Sequence, residues 1–310
     1  MIEFSGGSEL GTDTGSIMET SAADEMLPDI GESAEVSVNA ENTGSEISPG
    51  AGGQDGAESL GIQENPQSQV EAIHRSALEN ILEEDGRYIS PADRDRIGSG
   101  PSEISVVASI APDVTGGYHF GSDSSSIKVV SFSEMQQERS TIHETHHFAS
   151  CNREICIPEP GKNGYRVVNT VGTRQASWFH SCQTGENYNY TEHGRGLNEG
   201  ITTLFTNQSL YRISAEKGKA AEQQQIYGNA VDLVGSLAEI VGEEPVKQAY
   251  YGGNCSPLEK AVDRLAGEKQ YLCLRDCLDR SISDSWADRA EATRQARDIL
   301  AAMSERKGSQ

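Results

Sequence analysis

Val70, Ile73, Ala77, Leu78, Ile81 and Leu82 recur with the 3.6-residue period, predicting an amphipathic helix from about Ser68 to Glu84 that ends at Asp85-Gly86. Pro91-Ala92-Asp93 then opens a short helical turn. The pattern turns β-rich from Ile104 to Ile110. Two further runs, Gly116 to Phe120 and Ile127 to Phe132, flank Gly121-Ser122-Asp123-Ser124-Ser125 and predict a hairpin. Ser133 with Gln136 forms a capping-box pattern that opens a helix running to about Ser150. Residues 151–196 are broken by Pro158, Pro160, Gly161 and Gly164. They hold a short β-like run, Tyr165-Arg166-Val167-Val168, and an aromatic cluster of Trp178, Phe179, Tyr188 and Tyr190, and they predict an irregular insertion with one hairpin. From Leu197 onward the pattern is mostly helical, with helices at about 197–213, 218–241, 243–250, 256–266, 268–280 and 284–306.

Charge changes this picture at the N-terminal end. The chain carries a net charge of -23, and residues 1–74 contain no Lys or Arg. Residues 1–66 are acidic and rich in Gly and Ser, with few large apolar side chains. Such a segment buries too little apolar surface to offset the entropy of ordering it, which predicts a disordered tail. Residues 67–310 are long enough for one sizeable core that buries roughly 70–75% of its unfolded surface. The acidic balance argues against nucleic-acid or anionic-membrane partners, which need a basic face. The apolar runs fall short of the roughly 18 residues of a membrane span. Met1-Ile2-Glu3-Phe4-Ser5 lacks the pattern of a secretory signal, so the expectation is a soluble, initially cytoplasmic chain, with non-classical export left open. The six cysteines contain no C-x-x-C and read as reduced thiols.

The candidate chemistry lies on the helix after the hairpin. His143-Glu144-Thr145-His146-His147 reads H-E-x-x-H. Two histidines four residues apart share one helical face and can bind a single metal ion, while Glu144 can take a proton from a water at that ion. His146 lies about 100° around the helix from either neighbour and reads as a core or supporting residue. A third ligand is required. The extension H-E-x-x-H-x-x-G-x-x-H fails, because Ser150 and Arg153 occupy its glycine and histidine positions. A G-T-x-x-D ligand sequence begins at Gly172-Thr173, but Ala176 stands at its aspartate position. Asn198-Glu199-Gly200, on a predicted helix, fits a third type in which a second helix supplies glutamate.

With His143, Glu144, His147, Asn198 and Glu199, the chain resembles the gluzincin group of zinc metallopeptidases, the thermolysin-like clan with its minimal single-domain members. The resemblance covers about residues 67–215. It implies an α+β, zincin-like fold, in which a small mixed sheet packs on an active-site helix and a backing helix; it is silent on the tail and on the C-terminal helices, and the mostly helical part (197–310) rests on the sequence pattern. It implies one Zn2+ per chain on His143, His147 and Glu199, Glu144 as general base, and Asn198 as support. Thr203 stands where thermolysin-like members often place an aspartate that orients the first histidine. The oxyanion donor is open between Tyr250, which precedes Gly252-Gly253 at a predicted helix end, and His193 with Arg195, just upstream of Glu199.

The function these residues predict is zinc-dependent hydrolysis of peptide bonds in peptides or proteins, as an endopeptidase. Two other readings stand beside it. One is a narrow-specificity effector or toxin protease, and the other is a catalytically silent zincin-like binding protein.

Overall fold

The computed structural model describes residues 65–108, 110, 115–121, 124–130, 133–216, 227–283 and 285–309. The acidic segment expected to be disordered lies, up to residue 64, outside the described residues, as does 218–226 of the predicted helix 218–241. The described chain is a mixed α+β fold, mostly helical. In order it forms α1 (Pro66–Asp85), α2 (Pro91–Ser99), β1 (Glu103–Val107), β2 (Gly116–Phe120), β3 (Ser125–Val130), α3 (Glu134–Ala149), β4 (Asn152–Pro158), β5 (Gly164–Val171), β6 (Arg174–Ser181) and β7 (Asn187–His193). Six helices follow: α4 (Arg195–Glu216), α5 (Gly228–Val241), α6 (Glu243–Tyr250), α7 (Ser256–Ala266), α8 (Gln270–Ser281) and α9 (Trp286–Gly308).

The first sheet is small and mixed, in the order β1-β3-β2, with β3 parallel to β1 and antiparallel to β2. Ile127 and Val129 alternate with Lys128 along β3 and are fully buried, so one face of the central strand packs inward. The Gln67 side chain at the start of α1 behaves like a strand neighbour. Its Nε2 donates to Ile104 O (2.5 Å) and its Oε1 accepts from Val106 N (3.1 Å), which satisfies backbone groups of β1.

Helix α3 runs through the middle of the molecule. Ser133 Oγ caps its start by accepting from Gln136 N (3.4 Å), and every residue from Ser140 to Ala149 is buried. A polar helix so enclosed must satisfy its side chains internally. His74 Nδ1 of α1 meets Thr145 Oγ1 at 2.9 Å, and His146 bonds to Tyr251 Oη (2.9 Å) and Ser209 Oγ (3.1 Å), in keeping with its expected core role. The C-terminal carbonyls are closed off from two sides. Arg96 donates to Phe148 O (2.6 Å) and Ser150 O (2.9 Å), and Asn152 Nδ2 donates to His147 O (3.2 Å). These bonds hold the last turn, and with it His147, in place.

The irregular insertion expected at residues 151–196 is instead a regular four-stranded antiparallel meander, β4-β5-β6-β7. Its strands escape a periodicity reading because both faces are half-exposed and carry mixed polar and apolar residues. Val167 and Ala176, which share one face, are the only buried apolar residues along β5 and β6, too few to give a readable alternation.

The C-terminal helices supply most of the remaining core, through fully buried residues such as Leu197, Ile201, Leu237, Leu258, Leu274, Leu278 and Met303. All six cysteines are free thiols. Among the described residues, no helix is long and apolar enough to cross a membrane.

Candidate metal centre

Helices α3 and α4 lie against each other and bring three donors together. His143 Nε2 is 3.3 Å and His147 Nε2 3.4 Å from Glu199 Oε2, and all three donor atoms lie within 4.8 Å of one another. Donors arranged as a tetrahedron about 2.05 Å from its centre are separated by roughly 3.3 Å along each edge, so the two measured separations suit a first-row divalent ion. Two imidazoles and one carboxylate form a buried group able to hold a metal ion.

The electrostatics favour the ionised carboxylate. Burial raises the Glu199 carboxyl, but His147 and His143, hydrogen-bonded to it, outweigh burial and hold it well below the usual carboxylate range. Glu144 behaves oppositely. Burial raises its pKa, and the neighbouring histidines and the backbone N–H of Tyr118 only partly offset this. Two carboxyls on one cavity are thus driven apart, one firmly ionised and one drawn towards protonation.

The outer side of His147 is supported from α4. Its Nδ1 faces Asn198 Nδ2 (3.3 Å) and Thr202 Oγ1 (3.4 Å). Asn198 Oδ1 also accepts from Thr173 N (3.0 Å) in the β5–β6 turn. That turn presses so closely that a Cβ on Gly172 (φ 60°) would overlap Asn198 Oδ1 and come within 2.9 Å of the Tyr250 ring. The Gly172-Thr173-Arg174 sequence, which fails as a ligand motif, therefore reaches the site as a structural turn.

The start of α4 is fixed from α8. Asp279 accepts from Gly194 N and Gly196 N at 2.7 Å each and caps the helix that carries Glu199.

The donors open onto a cavity of about 170 Å³. Gly116, Gly117 and Tyr118 of β2 form one wall, and Val171 and Arg174 at the ends of β5 and β6 form another. The strand beside the cavity is therefore β2. A Cβ on Gly116 would lie 2.8 Å from Glu144 Oε1, so the backbone of β2 is in direct register with the carboxyl. Tyr227, at the start of α5, completes the lining. Burial, with the Glu199 and Glu144 carboxylates nearby, pushes its phenol up to about 12, and it is hydrogen-bonded to Arg195.

The structure brings His143, Glu144, His147, Asn198 and Glu199 together, but not the expected oxyanion donors Tyr250 and His193; Arg195, the third candidate, is bonded to Tyr227. Tyr250 is fully buried, with its ring centre 5.7 Å from that of Phe205 and its hydroxyl 2.8 Å from Thr202 Oγ1, and it lies outside the cavity. The end of α6 turns this ring inward because it fills the core beneath the β5–β6 turn. His193 is exposed at the end of β7, also outside the cavity. Thr203 is buried with its hydroxyl unpartnered, and the hydroxyl that supports His147 is Thr202. Sequence reasoning missed Tyr227, for which no local signal exists, and Arg174, whose turn dipeptide was visible but unplaced.

Comparison with known proteins finds no matching family model, no significantly similar curated protein and no significantly similar solved structure.

Proposed function

We propose that this chain is a zinc-dependent peptidase that hydrolyses peptide bonds. One observation carries the reading: His143, His147 and Glu199 converge on the same small cavity whose wall holds Glu144, the only other residue of the motif with a reacting group on that face. Zinc on these three residues would supply Lewis-acid polarisation of a water and of the scissile carbonyl. Glu144, with its pKa raised by burial, takes the proton of the attacking water and returns it to the leaving nitrogen. The Tyr118 N–H holds the carboxylate against β2 while it does so. Tyr227 remains protonated throughout the neutral range, so its hydroxyl is available to donate to the developing oxyanion, and Arg195 orients it. The missing Cβ of Gly116 leaves room for the Glu144 carboxyl beside β2.

The test is metal content and turnover together. Purified protein should hold about one zinc per chain, and His147→Ala should lose it. Glu144→Gln should keep the zinc and lose cleavage of a diverse peptide library by at least about a hundredfold. Protein that folds, binds no zinc and cleaves nothing would sink the proposal.

A further inference from the structure

The β4–β7 sheet projects from the cavity. Among the described residues its firmest contacts with the helices are α4 against β6 and α8 against β7, and most positions along β5 and β6 stay half-exposed, Val167 and Ala176 being buried. The register of β5 and β6 pairs Val171 with Arg174, Asn169 with Ala176, Val167 with Trp178 and Tyr165 with His180, which places these side chains on one face. That face begins at the cavity, where Val171 and Arg174 are lining residues. It passes the end of β2, where Asn169 Nδ2 donates to Phe120 O (3.3 Å). Further out, the rings of Trp178 and Tyr190 stack with centroids 6.4 Å apart and an interplanar angle of 20°.

A second feature aims Tyr190 at that position. Between the pairs Ser177–Thr191 and Phe179–Tyr188, the two β7 residues Asn189 and Tyr190 stand opposite Trp178 alone, forming a β-bulge with Asn189 at φ 56°. Asparagine is among the few non-glycine residues that adopt the left-handed region readily, so the residue at this position suits the bulge. The bulge turns Tyr190 onto Trp178 while leaving it 58% exposed, so the pair is shaped but not buried. Arg174 connects the two ends of the face. It bonds to Glu192 and to Tyr190, and its charge is neutralised where it meets the cavity.

We propose that this face is the specificity surface of the same site, taking an extended peptide whose large aromatic or aliphatic side chain rests on Trp178 and Tyr190. The proposal rests on the peptidase reading. From Val171–Arg174 to Val167–Trp178 is four strand residues, or about 13 Å, so the selected side chain lies about four substrate residues from the scissile bond. An aromatic platform open on one side favours flat or branched apolar groups and disfavours carboxylates.

The experiment uses the full chain with Glu144→Gln to arrest turnover and Trp286→Phe to leave Trp178 as its one tryptophan. The probes are ten-residue peptides with Phe, Leu, Ala or Asp placed at each position in turn. Phe and Leu peptides should shift Trp178 fluorescence and bind about tenfold more tightly than Ala peptides, and Tyr190→Ala should remove that preference. In the active chain, the cleaved bond should lie about four residues from the preferred side chain. Binding with this preference but no cleavage in any active preparation leaves the surface standing and removes the peptidase reading. Cleavage with no preference, unmoved by Tyr190→Ala, overturns the surface and leaves the peptidase reading intact. Loss of both removes both. Concentration-dependent self-association abolished by Tyr190→Ala, with no peptide binding, overturns the surface in favour of a second copy of this chain.

Discussion

Replacing Gly116 by alanine tests Glu144 without replacing any titratable group. A Cβ there would sit 2.8 Å from Glu144 Oε1, 3.1 Å from Cγ and 3.3 Å from Cδ. Ordinary contact begins near 3.4 Å, so the carboxylate must retreat by about 0.6 Å and weaken its bond from the Tyr118 N–H. The atoms that give way are the far end of a flexible side chain, so folding stability should fall by no more than about 1 kcal/mol. Misplacing a reacting group by about 1 Å costs up to about a hundredfold in rate, so kcat/KM for a cleaved peptide should drop by about tenfold to thirtyfold. Gly117→Ala is the internal control. Gly117 also lines the cavity, but its added Cβ would meet only Ile110 Cδ1 at 3.8 Å, an ordinary contact, and turnover should stay within about twofold. Peptide cleavage followed by mass spectrometry, with zinc content and thermal unfolding measured on the same samples, separates the effects. If Gly116→Ala cleaves as fast as Gly117→Ala with zinc retained, Glu144 is not the group that moves the proton.

Three further outcomes follow from the surrounding contacts. Asn198→Ala removes support from both His147 and the β5–β6 turn, and zinc affinity measured by competition with a chelator should fall about tenfold to a hundredfold, whereas a purely structural Asn198 would lower the unfolding temperature and leave affinity unchanged. Asp279→Ala uncaps α4, and chemical denaturation should register a loss of about 1 kcal/mol; an unchanged midpoint would show that water replaces the cap. His74 is buried and its pKa is lowered by that burial to about 4, below the 6.5 of a free imidazole. The unfolded chain therefore binds the proton first, so this stabilisation is complete above about pH 6.5 and is lost as pH falls towards 4, by up to about 3 kcal/mol. His74→Gln should flatten that part of the stability curve, and an unaltered slope would assign it to other groups.

Local patterning made much of the fold legible. The α1 period, the Ser133 cap, the β2–β3 hairpin and most C-terminal helices are short-range signals, and they appear close to their expected positions. The β4–β7 sheet was not legible, because most positions on both its faces are half-exposed and alternate only weakly, and its proline and glycine turns resemble irregular chain. Tyr250 misled for a related reason: a tyrosine before a double glycine is equally compatible with a cleft and with a core, and only the packing of α6 beneath the β5–β6 turn decides between them.

The sequence by itself determined the donor set and its helical spacing, because H-E-x-x-H on one helix fixes the relation of His143, Glu144 and His147 within a single turn. It also narrowed the third donor to Glu199 by eliminating Arg153 and Ala176. Tertiary structure alone decided that Glu199 reaches the two imidazoles, that β2 is the wall against Glu144, and that Tyr227 and Arg174 border the cavity. Those relations join residues far apart in the chain. They are set by which helices and strands bury their faces together, a choice that no local periodicity encodes.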